Sequence, residues 1–313
     1  MRILFATDGS DHARVASALL RDMAWPDGAI IRVVAAVPTG TELLGLSWVT
    51  VSSEAVQHQG DDVRRHFDDI VDSTARGLMK PGLVVERLLL RGRPASAIVD
   101  EARQWPADLV VVGHRGRGAI GSMVLGSVSA EVVDHAPCPV LVVRRSKMAS
   151  ILFATDGSPS ARHAEELLAT WPMFGSTPIR VVDVATAPLP LGFGMAVEVG
   201  AEVMDAYAAD AKRARAERIP VVEATAARLR EAGRTATGEV LEGDPAATIV
   251  ASVEACGEDL VVIGSRGHTG LARLLLGSVA RNVLVHAPSS VLIVREHARI
   301  AAPPEPALAV ELS

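Results

Sequence analysis

Two short glycine and serine clusters carry the clearest chemistry in this 313-residue chain. The apolar run Leu109-Val110-Val111-Val112 ends in Gly113-His114-Arg115-Gly116; nine residues follow, and Gly126-Ser127-Val128 then opens an amphipathic stretch. Leu260 to Ile263 leads in the same way into Gly264-Ser265-Arg266-Gly267 and, nine residues later, into Gly277-Ser278-Val279. Glycines just past a strand let the backbone turn with positive φ and approach a ligand closely. A Gly-Ser pair at a helix start leaves N–H groups and the positive end of the helix dipole for an anion. The chemistry this suits is phosphate binding. One glycine pair alone would serve as well as a turn and a cap, but three glycines, a serine and the same interval occurring twice favour the anion.

A second pair of motifs, Thr7-Asp8-Gly9-Ser10 and Thr155-Asp156-Gly157-Ser158, follows the apolar runs Ile3 to Ala6 and Ile151 to Ala154. In open α/β sheets ligands sit outside the carboxyl ends of strands, so Asp8 and Asp156 could accept from ribose hydroxyls or an amine. Either could also form an Asx turn into the next helix, and the two roles are compatible. No catalytic residue is assigned. His114 lies inside the first glycine loop but its counterpart is Ser265, and His135 and His286, each before Ala-Pro, read as helix C-terminal caps. Gly116-Arg117-Gly118-Ala119-Ile120-Gly121 spells GxGxxG, yet it follows the fourth apolar run and is broken in the second copy. No lysine follows these glycines, which excludes the P-loop mechanism. Arg115, Arg117 and Arg266 either neutralise phosphate or are solvated. No metal-ligand cluster is spaced along the chain, so the only metal expected is Mg2+ carried by phosphates.

The elements that must position these residues come as a duplication. Ile3 to Ser10 recurs letter for letter as Ile151 to Ser158, an offset of 148, and Ile31-Arg32-Val33-Val34 returns as Ile179-Arg180-Val181-Val182. After a net insertion of three residues, Leu125-Gly126-Ser127-Val128 returns as Leu276-Gly277-Ser278-Val279. The expected organisation is one domain over 1–146, a second over 149–296, and a proline-bearing tail over 297–313. In the first half the apolar runs are Ile3 to Ala6, Ile30 to Val37, Leu83 to Leu90, Leu109 to Val112 and Val140 to Val143. Several are apolar at consecutive positions, as in strands buried on both faces of a parallel sheet, and helix-length amphipathic stretches separate them. The fold class is α/β, doubly wound. Long helices are expected over Glu54 to Met79 and Ala201 to Ala232, after apolar, glycine-containing segments, Pro38 to Ser53 and Ala187 to Gly200, that read as lids or contact surfaces.

Hydrophobic residues make up 49% and charged ones 22%, with a net charge of -6 and a single tyrosine. That balance argues against nucleic acid as a partner, and no apolar run is long enough for a membrane span. The start, Met1 to Asp8, meets an acid too early for a secretory signal, so a cytoplasmic location is expected. Cys138 and Cys256 form no disulfide framework and read as small buried hydrophobes.

With Thr-Asp-Gly-Ser after the first strand and Gly-x2-Gly-x9-Gly-Ser after the fourth, the chain resembles the universal stress protein family, in its tandem form and its ATP-binding branch; separately, positive charge that is nearly all arginine, with much alanine and valine, points to a GC-rich bacterial genome. The resemblance implies a five-stranded parallel sheet of order 3-2-1-4-5 in each half, the adenine nucleotide alpha hydrolase-like arrangement, with ATP between the first and fourth strands. It implies contact of Thr7, Asp8, Thr155 and Asp156 with adenosine and of the backbone at Ala36 and Val184 with the adenine edge. The phosphates would fall to Gly113, His114, Arg115, Gly116, Gly126, Ser127 and Val128, and in the second copy to Gly264, Ser265, Arg266, Gly267, Gly277, Ser278 and Val279. In single-domain relatives the last strand mediates dimerisation. An internal pseudo-dimer through Val140 to Val143 and Val291 to Val294 is therefore expected, with any homodimer built on another surface. Two ATP sites and a stress or signalling role with little or no turnover follow, with an unidentified protein partner. A slow ATPase or nucleotidyl-transfer enzyme is the alternative; a partner-binding protein with vestigial sites is a third.

Overall fold

The computed structural model describes residues 1–37, 53–116, 125–186, 201–267 and 276–296, with the side chains of 53–60 and 201–203 left aside. The segments read from sequence as lids, and the tail from 297, lie outside these residues except for Ser53. In the first half the elements are β1 (Arg2–Ala6), α1 (Asp11–Asp22), β2 (Ala29–Val37), α2 (Ser53–Leu78), β3 (Leu83–Arg91), α3 (Pro94–Gln104), β4 (Leu109–Gly113), α4 (Ser127–His135) and β5 (Val140–Val143). The second half repeats them as β6 (Ile151–Ala154), α5 (Pro159–Thr170), β7 (Ile179–Ala185), α6 (Ala201–Glu231), β8 (Ala236–Glu242), α7 (Pro245–Cys256), β9 (Leu260–Gly264), α8 (Ser278–His286) and β10 (Ser290–Val294).

Each half is a doubly wound parallel sheet of order 3-2-1-4-5, and the two join into one ten-stranded sheet, β3-β2-β1-β4-β5-β10-β9-β6-β7-β8. Side chains alternate across it. Ile3, Phe5, Ile31 and Val111 point to the face covered by α1 and α2, with Leu20, Val71 and Leu78 buried against them. Leu4, Val34, Val110 and Val112 point to the face covered by α3 and α4. Complete burial of one such side chain stabilises by about 1.5–3 kcal/mol, so a strand apolar on both faces is held in register from two sides. The outer edge departs from this pattern: in β3, Val84 is 49% and Leu88 36% exposed, because an edge strand has a neighbour on one side only. Cys256 is also exposed, at the end of α7, whereas Cys138 is buried and its thiol pushed up to about 12 by that burial.

The seam is the one antiparallel pairing in the described sheet: Val291 lies opposite Val142, Leu292 opposite Leu141 and Ile293 opposite Val140. This register keeps like faces together, so each apolar layer runs unbroken through both halves. Two arginines reinforce it reciprocally. Arg144 Nη2 donates to Leu284 O at the end of α8 (2.5 Å), and Arg295 Nη2 donates to Val133 O and Asp134 O at the end of α4 (both 2.5 Å). A cation on the last carbonyls of a helix meets the negative end of its dipole.

Candidate functional site

The strand order reverses between β1 and β4 in the first half and between β6 and β9 in the second, and a cleft opens at each point. The first measures about 440 Å3 and the second about 380 Å3, within the roughly 300–1,000 Å3 of small-molecule sites. Thr7, Asp8, Ala36, Gly113, Arg115, Gly116, Gly126, Ser127 and Val128 line the first. Thr155, Asp156, Val184, Gly264, Arg266, Gly267, Gly277, Ser278 and Val279 line the second.

His114 and Ser265 do not line them. The His114 ring packs edge-on against His12, 4.2 Å between centroids, and faces a separate cleft of about 790 Å3 at the seam, with Arg144. Burial, Arg144, His12 and Arg115 lower its pKa to about 4. The second half replaces both rings with serines: Ser265 is buried, and Ser160, at the position of His12, donates to Arg266 O at 2.5 Å. Both positions are thus histidine in the first half and serine in the second.

The Thr-Asp-Gly-Ser turns are built identically. Asp8 Oδ1 accepts from Ser10 N at 3.0 Å and Asp156 Oδ1 from Ser158 N at 2.9 Å, forming Asx turns. Gly9 and Gly157 take φ of 72° and 76°, the left-handed region that favours glycine. Ser10 and Ser158 then cap α1 and α5, accepting from Ala13 N (3.2 Å) and Ala161 N (3.3 Å).

The motif glycines act otherwise than through positive φ: Gly113, Gly116, Gly126 and their counterparts all lie outside that region. What they supply is closeness. A Cβ on Gly113 would stand 3.0 Å from the backbone of His12, and one on Gly264 2.9 Å from Ala161 N. On Gly116 it would stand 2.7 Å from Asp8 Oδ2, and on Gly267 2.7 Å from Asp156 Oδ2. The glycine loop is therefore drawn against the Asx turn, and a hydrogen bond closes it: Gly126 N donates to His114 O and Gly277 N to Ser265 O, both at 2.8 Å. The helix starts that follow differ from those of α1 and α5. Gly126 and Gly277 are the N-caps of α4 and α8 and neither gives a side-chain cap. The first N–H groups of both helices thus lack the partner that Ser10 and Ser158 provide elsewhere.

Residues not singled out from sequence complete the walls. Phe67 of α2, Ala35 of β2, and Pro94 and Ile98 of α3 border the first cleft; Arg218 of α6, Asp183 of β7, and Pro245 and Ile249 of α7 border the second. Asp183 is 3% exposed, bonded to Arg218 Nη1 at 3.2 Å, and its pKa is raised by burial against the opposing pull of Arg218. Phe67 and Arg218 become visible in sequence only when the long helices are superposed through their core positions, Val71 on Val222, Ala75 on Ala226 and Leu78 on Leu229. Among the described residues no group of three or more His, Cys, Asp or Glu is arranged to hold a metal, and no helix is long and apolar enough to cross a membrane.

Comparison with known proteins gives one answer. The profile of the universal stress protein family matches residues 1–144 and again 148–295. A universal stress protein of Thermus aquaticus is 41% identical over 143 residues, covering 45% of this chain and 97% of its own length. One from Mycolicibacterium smegmatis is 30% identical over 237 residues, covering 68% of this chain and 70% of its own length. The crystal structure of a universal stress protein from Archaeoglobus fulgidus shares the fold with a TM-score of 0.63 at 18% identity, across 94% of this chain and 98% of that one.

Proposed function

This chain belongs to the universal stress protein family, and we propose that it acts there as a two-site nucleotide-binding module, taking ATP in each cleft. Occupancy is answered by a change of shape or of protein partner, with little or no turnover. One arrangement, made twice, supports this reading: a helix start without a side-chain cap shares a cleft with a carboxylate at the end of the first strand. The N–H groups of Ser127 and Val128, and of Ser278 and Val279, hold phosphate oxygens there, with Arg115 and Arg266 beside them, because a helix N-terminus favours negative charge. Asp8 and Asp156 accept from ribose hydroxyls, and Ala36 and Val184 meet the base. Mg2+ would arrive on the phosphates and offset part of their charge.

The test is stoichiometry and fate of the nucleotide. Saturating ATP should leave two nucleotides per chain on chromatography of the denatured complex, and Gly126→Glu or Gly277→Glu should each remove one. A bulky anion would then stand at a helix start that favours the ligand's charge. One nucleotide or none in the parent protein overturns the reading, and rapid steady-state ADP release would replace the module with an ATPase. Hydrogen exchange over 38–53 and 187–200, with and without ATP, tests the change of shape.

A further inference from the structure

Because β5 and β10 pair antiparallel, each surface at the seam has a counterpart in the other half, and one of the two is built differently. The seam cleft of about 790 Å3 is bordered by His114, Arg115 and Arg144 from the first half and by α7 and α8 from the second. Ala247, Val250, Ala251 and Glu254 reach it from one face of α7, at the i, i+3, i+4, i+7 spacing, and Val285 from α8. In the counterpart, α3 and α4 are clasped by charge. Arg93, at the start of α3, meets Glu131 at 2.8 Å, and Arg103 donates to Asp100 Oδ1 at 3.1 Å and to His135 O at 3.2 Å. The repeat puts Asp244, Asn282, Glu254 and Ala251 at the positions of Arg93, Glu131, Arg103 and Asp100, and those residue types cannot form the two ion pairs.

The arginines that cross the seam differ in the same sense. Arg295 lies beside Asp134, whose carboxylate accepts from Arg281 Nη2 at 2.8 Å and opposes the burial that lowers the Arg295 pKa. Val285 stands at the position of Asp134 in the second half. Arg144, bonded to the neighbouring Leu284 O, forms no ion pair among the described residues, and burial and Arg115 lower its pKa to about 10. Its guanidinium donates to Leu284 O and Ser289 O, which leaves part of its donor set for a ligand. An anion in the cleft would supply what Asp134 supplies in the counterpart, and a carboxylate matches the arginine fork in two parallel bonds. The small apolar side chains of Val250, Ala251 and Val285 suit a hydrocarbon body, which leaves water as it covers them. Asp244 and Glu254 border the same cleft and are exposed, so a ligand with more than one negative charge meets repulsion.

We infer that the seam cleft binds an amphipathic monocarboxylate, with its carboxylate on Arg144 and Arg115 and its hydrocarbon body along Val250, Ala251 and Val285. The site needs both halves of the chain, and it stands whether or not the two glycine-lined clefts hold nucleotide.

The test uses octanoate, below its micellar concentration, with the full chain free of nucleotide. Equilibrium dialysis of labelled octanoate should give about one bound per chain, displaced by unlabelled octanoate and by neither octanol nor inorganic phosphate. Val285→Asp sets into the cleft the carboxylate that the counterpart carries, and should weaken octanoate about tenfold or more, the worth of one charge-assisted bond. Arg144→Gln should do the same. If Arg144→Gln fails to fold by circular dichroism, Val285→Asp and Ala251→Trp, at half-buried and exposed positions, keep the bonds to Leu284 O and Ser289 O and decide the location. Octanoate that does not bind the parent chain, or that binds folded Val285→Asp and Ala251→Trp as tightly as the parent, overturns the inference. Displacement by octanol would leave a merely apolar cleft and displacement by phosphate a general oxyanion site, and either overturns the carboxylate assignment.

Discussion

Replacing Gly116 with alanine probes the joint between the glycine loop and the Asx turn. The residue is outside the positive-φ region, so alanine meets no backbone penalty there, and the whole effect comes from one methyl group. Its Cβ would lie 2.7 Å from Asp8 Oδ2, against 3.4 Å for an ordinary contact. The carboxylate must rotate, and rotation strains the 3.0 Å bond that Asp8 Oδ1 accepts from Ser10 N at the entry to α1. A hydrogen bond to a charged group is worth about 1.5–3 kcal/mol, and partial loss makes a stability decrease of about 1 kcal/mol reasonable. Ligand binding should suffer more. If Asp8 accepts from a ribose hydroxyl, its displacement forfeits most of a comparable bond, which is about tenfold or more in affinity. Urea unfolding measures the first quantity and calorimetric titration with ATP the second, with Gly267→Ala as the matching change in the other cleft. Unaltered ATP affinity at the first cleft, with Gly116→Ala folded and only slightly destabilised, would refute the role given to Asp8.

Arg295→Ala should lower stability by about 2–3 kcal/mol by stripping charge-assisted bonds from Val133 O and Asp134 O, and calorimetry should then show the two halves unfolding as separate transitions. His114 carries a folded pKa of about 4 against an ordinary 6.5, so its contribution to stability is complete above 6.5 and lost as pH falls towards 4. Denaturant unfolding should therefore show a fall between pH 7 and 4.5 that is shallower in His114→Gln. Gly77→Ala, in α2 with nothing within 4 Å of the added methyl, should raise stability by about 0.5–1 kcal/mol, readable as a higher urea midpoint.

Much of this molecule was legible because its information is local. Apolar runs such as Leu109 to Val112 sit in strands since only burial on both faces accommodates them, and Ser10 and Ser158 cap helices since their side chains reach Ala13 N and Ala161 N three residues on. The repeat exposed the two-half organisation without any coordinates. Other features depend on residues far apart in the chain. That Gly116 is needed to admit Asp8 rather than to turn the backbone follows from the packing of two loops more than 100 residues apart. His114 belongs by sequence to the glycine loop, but its ring packs on His12 and faces the seam cleft, which no local signal shows. Phe67 and Arg218 lie mid-helix, with no motif around them, and acquire meaning only where α2 and α6 cross the ends of β2 and β7. The sequence determines which residues want burial, capping or a turn, because those preferences act within a few residues. The tertiary structure alone decides which side chains meet across a cleft or seam, because that depends on how the elements pack.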